Sequence, residues 1–263
     1  MKDKLYFINA DRGPHGGAIR RKTKDIPPVD RKYIFGLIDK VDQQTYGYSI
    51  KGGLSPDEQT LRNKALVAML YLSGRRISEL LGRAYHEDVY SGIQIGDLQL
   101  GRIGRHEVLR VHIRILKKGT RKKKCPACTR LNPSDSIVCS RCSRDLTTVK
   151  PSGKLKEVFV WKNIRTEDPL CQHILAWLIY LKERRYEGKL FNIKRSRAWQ
   201  IMIQLDPDIW NHWFRHQRLT QLSDVMDPYE LKEFAEWESI TPAVSYIHRA
   251  PGRILSKIEK ADS

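Results

Sequence analysis

Two cysteine doublets restrict this chain more than any other feature. Cys125-Pro-Ala-Cys128 and Cys139-Ser-Arg-Cys142 stand ten residues apart and use four of the five cysteines. Two C-x-x-C pairs offer four thiolates that can close a tetrahedron on Zn²⁺. In a reducing compartment this spacing reads as metal rather than disulfide. With cysteine at all four positions no place is left for water, so one structural zinc is expected. The surrounding segment is too poor in apolar groups to fold without it. The fifth, Cys171, lies on a predicted helix and reads as a buried thiol.

The charge points to a polyanion. The 263 residues carry a formal net charge of +18, and 40% of them are hydrophobic. That is enough for a core, in one large domain or two small ones, and the basic excess favours nucleic acid as partner. No apolar stretch is long enough to span a bilayer. Met1-Lys2-Asp3-Lys4 is not followed by a signal-peptide core. The expectation is a soluble, cytoplasmic, nucleoid-associated protein with no membrane partner.

Most of the chain patterns as helix. Residues 1–26 are glycine-bearing and basic and read as a flexible arm. Ile34, Leu37, Ile38 and Val41 predict a helix at about 30–42. Ser55-Pro56-Asp57-Glu58 is a capping box opening a helix with Leu66, Met69 and Leu70 inward. Gly74 breaks it. Arg75 reads as a surface residue, and Ile77, Leu80 and Leu81 begin the next helix. Strands are predicted at 93–99, 107–116 and 156–161; the second alternates Leu109, Val111, Ile113 and Ile115 with Arg110, His112 and Arg114. Helices follow from Asp168-Pro169 to near Gly188, at 196–204, at 212–225 and from Asp227 to about Trp237. The tail at 251–263 carries Ile254, Leu255 and Ile258 on one helical face. The class is mainly α with a small antiparallel β-sheet (α+β).

The last third holds the chemistry. His212 and Arg215 form H-x-x-R, Trp237 follows, and Tyr246 comes nine residues later on a helix announced by Thr241-Pro242. Upstream, Gly74-Arg75-Arg76-Ile77-Ser78-Glu79-Leu80 matches G-x-R-[IV]-S-E-L. Together the two boxes resemble the tyrosine recombinase (phage integrase) family over roughly residues 27–250. The stretch at 120–150 resembles a zinc ribbon inserted in that catalytic domain. The cysteine pairs, and the lack of room for a separate amino-terminal domain, resemble integrases of archaeal viruses and plasmids or archaeal Xer-like proteins. The chain is then either a catalytic fragment or a minimal enzyme.

The resemblance implies roles. Arg76 and Arg215 would clamp the phosphate, His212 would accept a proton, and Trp237 would donate one hydrogen bond. Tyr246 would attack, giving a 3′-phosphotyrosyl link. Glu79 would orient Arg76, and His216 reads as packing. A β-hairpin turn would deliver a lysine to the leaving oxygen; Lys118 fits and Lys117 is the alternative. Lys117, Arg121, Lys122, Lys123 and Lys124 would contact DNA. The partners implied are double-stranded DNA and a homo-tetramer on paired sites, with no metal or nucleotide needed for catalysis. Two competing readings stay open: a non-catalytic recombinase-derived DNA-binding protein, and a type IB topoisomerase-like strand-transfer enzyme.

Overall fold

The helix α2 (Pro56–Ser73) is the axis of the fold. This computed structural model describes residues 28–44, 53–85, 88–117, 122–152, 156–210 and 212–247. At the start of α2, Ser55 accepts from the Glu58 N–H, the Glu58 carboxylate accepts from the Ser55 N–H, and Pro56 takes the first position. Leu66, Met69 and Leu70 are buried as predicted, but so are Ala65, Val67, Ala68 and Tyr71. The reason is that α1 (Arg31–Val41), α4 (Pro169–Glu183), α6 (Trp213–Ser223) and a strand all pack on α2. Full burial of one such leucine contributes about 1.5–3 kcal/mol.

Three strands form an antiparallel sheet in the order β3 (Leu98–Ile103), β4 (His106–Lys117), β7 (Lys156–Arg165). Leu109, Val111, Ile113 and Ile115 face the core. The opposite face carries one continuous stack. Arg110 lies 4.6 Å from the Trp161 ring, Trp161 lies 4.5 Å from His112, His112 lies 5.0 Å from Phe159, and Arg114 lies 5.1 Å from Phe159. Period-two alternation makes this partition unavoidable. The strand expected at 93–99 starts later. Asp97 accepts from the Gln94 N–H at 2.8 Å and closes a 3₁₀ turn over Ile95–Asp97, so extended pairing begins at Leu98. A short hairpin of β1 (Arg83–Tyr85) and β2 (Asp88–Tyr90) was not legible.

Between β4 and β7 the chain makes a small lobe. Its strands β5 (Lys122–Lys124) and β6 (Leu131–Pro133) pair antiparallel. Its interior is Cys125, Cys139 and Leu146. The remaining helices are α3 (Ile77–Leu81), α5 (Arg195–Leu205), α7 (Pro228–Ala235) and α8 (Thr241–Ile247). Leu219, Leu222, Leu231, Ala235 and Ala243 give α6, α7 and α8 a second apolar cluster. The class is α+β, mainly helical among the described residues. The basic arm at 1–26 and the tail helix at 251–263 lie outside the described residues.

Candidate active site

Gly74 ends α2 in the left-handed region, with φ of 59°. A Cβ there would meet the Phe234 ring at 2.9 Å, so both backbone and space call for glycine. The turn sends two consecutive arginines opposite ways. Arg75 goes inward: it is 1% exposed and donates to the Phe234 carbonyl at 2.8 Å. The surface position predicted for Arg75 is therefore wrong, because the end of α7 supplies an acceptor that no local pattern reveals. Arg76 caps α3. Its guanidinium donates to Glu79 Oε1 at 2.9 Å, and its backbone N–H donates to Glu79 Oε2 at 3.0 Å.

Arg215 ties the two sequence boxes together. From α6, its Nη1 donates to the Gly74 carbonyl at 2.8 Å and its Nη2 to the Ala235 carbonyl at 2.7 Å. Burial pulls its pKa down to about 10; Arg76 and Arg75 add to the fall, while Glu79 and Tyr246 oppose it. It stays charged at neutral pH. His212, at the start of α6, has its pKa held below the ordinary histidine value by desolvation first, then by Arg76 and Arg215. Neutral imidazole is an acceptor. Arg76 and His212 line one cleft of about 460 Å³.

Tyr246 sits on α8. Its ring stacks on Trp237, with centroids 5.6 Å apart at 26°, and the Arg215 guanidinium lies 5.7 Å from the Trp237 ring. The Tyr246 hydroxyl lies 3.2 Å from Nδ1 of His216. That contact was missed in the sequence, where His216 reads as packing. The sequence signal was partial: His216 follows His212 by four residues, but His212 is the N-cap and only His216 lies within α6. A second residue had no local signal. Lys162 is buried on β7 and donates to the Phe234 carbonyl at 2.6 Å and to Glu236 at 3.3 Å. Burial, then Arg75, pulls its pKa down to about 8. Arg75, Lys162 and Arg215 thus converge on the last carbonyls of α7, where the helix dipole is negative.

The lysine-rich run divides. Lys118 and Arg121 lie outside the described residues, and only the backbone of Lys117 is described, as the end of β4. Lys122 and Lys124 are exposed. Lys123 is 7% exposed and donates to the Ser136 and Leu146 carbonyls at 2.9 and 2.8 Å. It holds the lobe together from inside, which corrects its assignment to a DNA surface.

The four doublet cysteines place their sulfurs within 4.8 Å of one another. Tetrahedral Zn²⁺ thiolates would have S···S edges of about 3.8 Å. The two halves repeat one local design. Cys125 N–H donates to Arg130 O and Thr129 N–H to Cys125 O; Cys139 N–H donates to Arg144 O and Ser143 N–H to Cys139 O. Thr129 and Ser143 both take positive φ, 59° and 54°. The backbone N–H of Arg141 points at Cys139 Sγ and is the largest cause holding that thiol below its ordinary range. Amide donors aimed at sulfur favour thiolate, which is what a metal requires.

No family model matches the sequence, and no curated protein is similar to it. The fold does match solved structures. XerH site-specific recombinase bound to difH substrate, in a pre-cleavage complex, is similar with a TM-score of 0.50 at 13% identity, over 90% of this chain and 52% of that one. A post-cleavage XerH complex on palindromic difH gives 0.49 at 12%, over 95% and 61%. XerA recombinase gives 0.47 at 13%, over 94% and 68%. The first of these likenesses shows a shared fold, and the chain spans little more than half of that XerH chain. Among the described residues no helix is long and apolar enough to cross a membrane.

Proposed function

We propose that this chain is the catalytic domain of a tyrosine-type site-specific DNA recombinase. One observation carries the reading: Arg215 bridges the Gly74 turn and the end of α7, so that Arg76, His212, Trp237 and Tyr246 gather around it from separate elements. A phosphodiester resists attack because its anion repels nucleophiles and its leaving alkoxide is poor. Two guanidinium groups meet the first problem by holding the non-bridging oxygens. Free tyrosine has a pKa of about 10, so its proton must go to a neighbour, and His216 is in place to take it. The Tyr246 oxygen then bonds to phosphorus as the bond to the 5′ oxygen breaks. A 3′-phosphotyrosyl link and a free 5′-hydroxyl result, with Lys118 or Lys117 giving the departing oxygen its proton. Attack by a 5′-hydroxyl reverses the step and rejoins the strand without ATP.

The catalytic domain would run over 27–250, with the arm at 1–26 following DNA and the tail at 251–263 docking on a neighbouring copy in a tetramer. The lobe at 120–150 would hold one structural zinc on Cys125, Cys128, Cys139 and Cys142 and reach the DNA through Lys122, Lys124 and Arg121. The metal supplies folding energy there and takes no part in the reaction. Trapping tests the whole. Fragmented, nicked DNA from the source organism is mixed with wild type and with Tyr246→Phe, denatured, and whatever stays attached is sequenced. DNA held by its 3′ end on wild type alone is the expected result; an equal yield from Tyr246→Phe excludes this nucleophile.

A further inference from the structure

The cleft beside Arg76 and His212 is larger than a phosphate needs. Arg195, the first residue of α5, and the indoles of Trp199 and Trp210 line the same space. Nε of Arg195 is buried and finds no hydrogen-bond partner among the described residues. Trp199 is 46% exposed, a large flat apolar surface in the lining of the cleft. Trp210 leans on His216 at 6.3 Å, so the aromatic wall continues to the Tyr246 contact. The charge is one-sided. Arg76, Arg215 and Arg195 all act on His212, and Glu79, which opposes them, is already bound to Arg76.

We infer that this cleft is a nucleotide pocket, in which Arg195 takes a phosphate and the indoles of Trp199 and Trp210 take the face of its base. Each feature selects against simpler ligands. A bare inorganic anion would leave two indoles facing water. A neutral apolar ligand would leave the cluster of cations uncompensated. Flat indole faces are sequence-tolerant platforms for bases, and the volume suits a small ligand. A base stacked inside a duplex cannot lie on an indole, so the nucleotide received here is one drawn out of the stack. This rests on the reading of DNA as substrate: the pocket takes a nucleotide beside the phosphodiester that is cleaved.

The test needs no target site. The probe is 2-aminopurine deoxynucleoside 5′-monophosphate, whose fluorescence is quenched by stacking, compared with the nucleoside that lacks the phosphate. Wild type should bind the nucleotide saturably with quenching, and the nucleoside at least about tenfold more weakly. Arg195→Gln should weaken the nucleotide toward the nucleoside level, leaving only the preference that Arg76 supplies, and Arg195→Lys should recover part. Trp199→Ala should remove most of the quenching and Trp199→Phe keep part of it, with circular dichroism confirming that every variant is folded. Unchanged nucleotide affinity in Arg195→Gln, undiminished quenching in Trp199→Ala, or no saturable binding by wild type overturns the pocket. Normal nucleotide binding by a protein that never forms an adduct on Tyr246 sinks the recombinase reading and leaves the pocket standing.

Discussion

At the scale of single residues, two imidazoles near the start of α6, His212 at its N-cap and His216 in its first turns, do different work. His216 touches the Tyr246 hydroxyl, and His212 faces the cleft with Arg76. If His216 accepts the tyrosine proton, His216→Ala should slow adduct formation by about 10²-fold or more. His216→Gln keeps an acceptor near the hydroxyl but cannot take the proton, so it should be nearly as slow; recovery with glutamine would reduce His216 to a positioning role. His212 has the clearer pH consequence. Its pKa lies below the ordinary 6.5, so the neutral form persists as pH falls through 6.5 and is lost only below that. The part of the acid limb that His212→Gln removes should therefore be centred below pH 6.5. If the part removed were centred above 6.5, this placement of His212 would be contradicted.

At the scale of elements, the end of α7 and the cysteine lobe each depend on one device. Lys162 has a folded pKa of about 8 against 10.5 for an ordinary lysine. Between those values the unfolded chain binds more protons than the native one, so the Lys162 contribution to stability rises with pH over that window. The stability of wild type relative to Lys162→Met, measured by urea denaturation from pH 7 to 10.5, should climb from 8 upward; a flat difference would mean Lys162 is not buried as a charge. For the lobe, chelation should unfold about 120–150 and leave the α2 core intact, seen as lost amide protection confined to the lobe. Protection unchanged after verified metal loss would show that Leu146 and Lys123 suffice to hold it. Much of this architecture was legible. Ser55, Asp168 and Asp227 announce their helices because capping is local chemistry, and β4 alternates because one face is buried. What was hidden depends on distant partners. Arg75 and Lys123 look like surface cations until carbonyls far along the chain are brought to them. The strand at Leu98 was misplaced because one carboxylate, Asp97, redirects the backbone into a turn.

At the scale of the whole molecule, the formal net charge is +18. On the outer sheet face Arg110 and Arg114 bracket the stacked rings of Trp161, His112 and Phe159, on the strands that lead toward Lys122 and Lys124. If DNA lies along this track, binding to a random duplex should weaken steeply as salt rises, with a log–log slope of about −0.9 for each phosphate neutralised. Lys122→Ala with Lys124→Ala should flatten that slope by about two. An unchanged slope would place the lobe away from the duplex. The proposed reaction asks more than DNA binding: Tyr246, beside His216, Trp237 and the charge of Arg215, would become covalently joined to a strand. The direct measurement is mass mapping of the trapped complex after digestion with trypsin and nuclease. A nucleotide mass is expected on the peptide that contains Tyr246, with a free 5′-hydroxyl on the released strand. The same mass on a peptide without Tyr246, or a strand released with a 5′-phosphate, would contradict it.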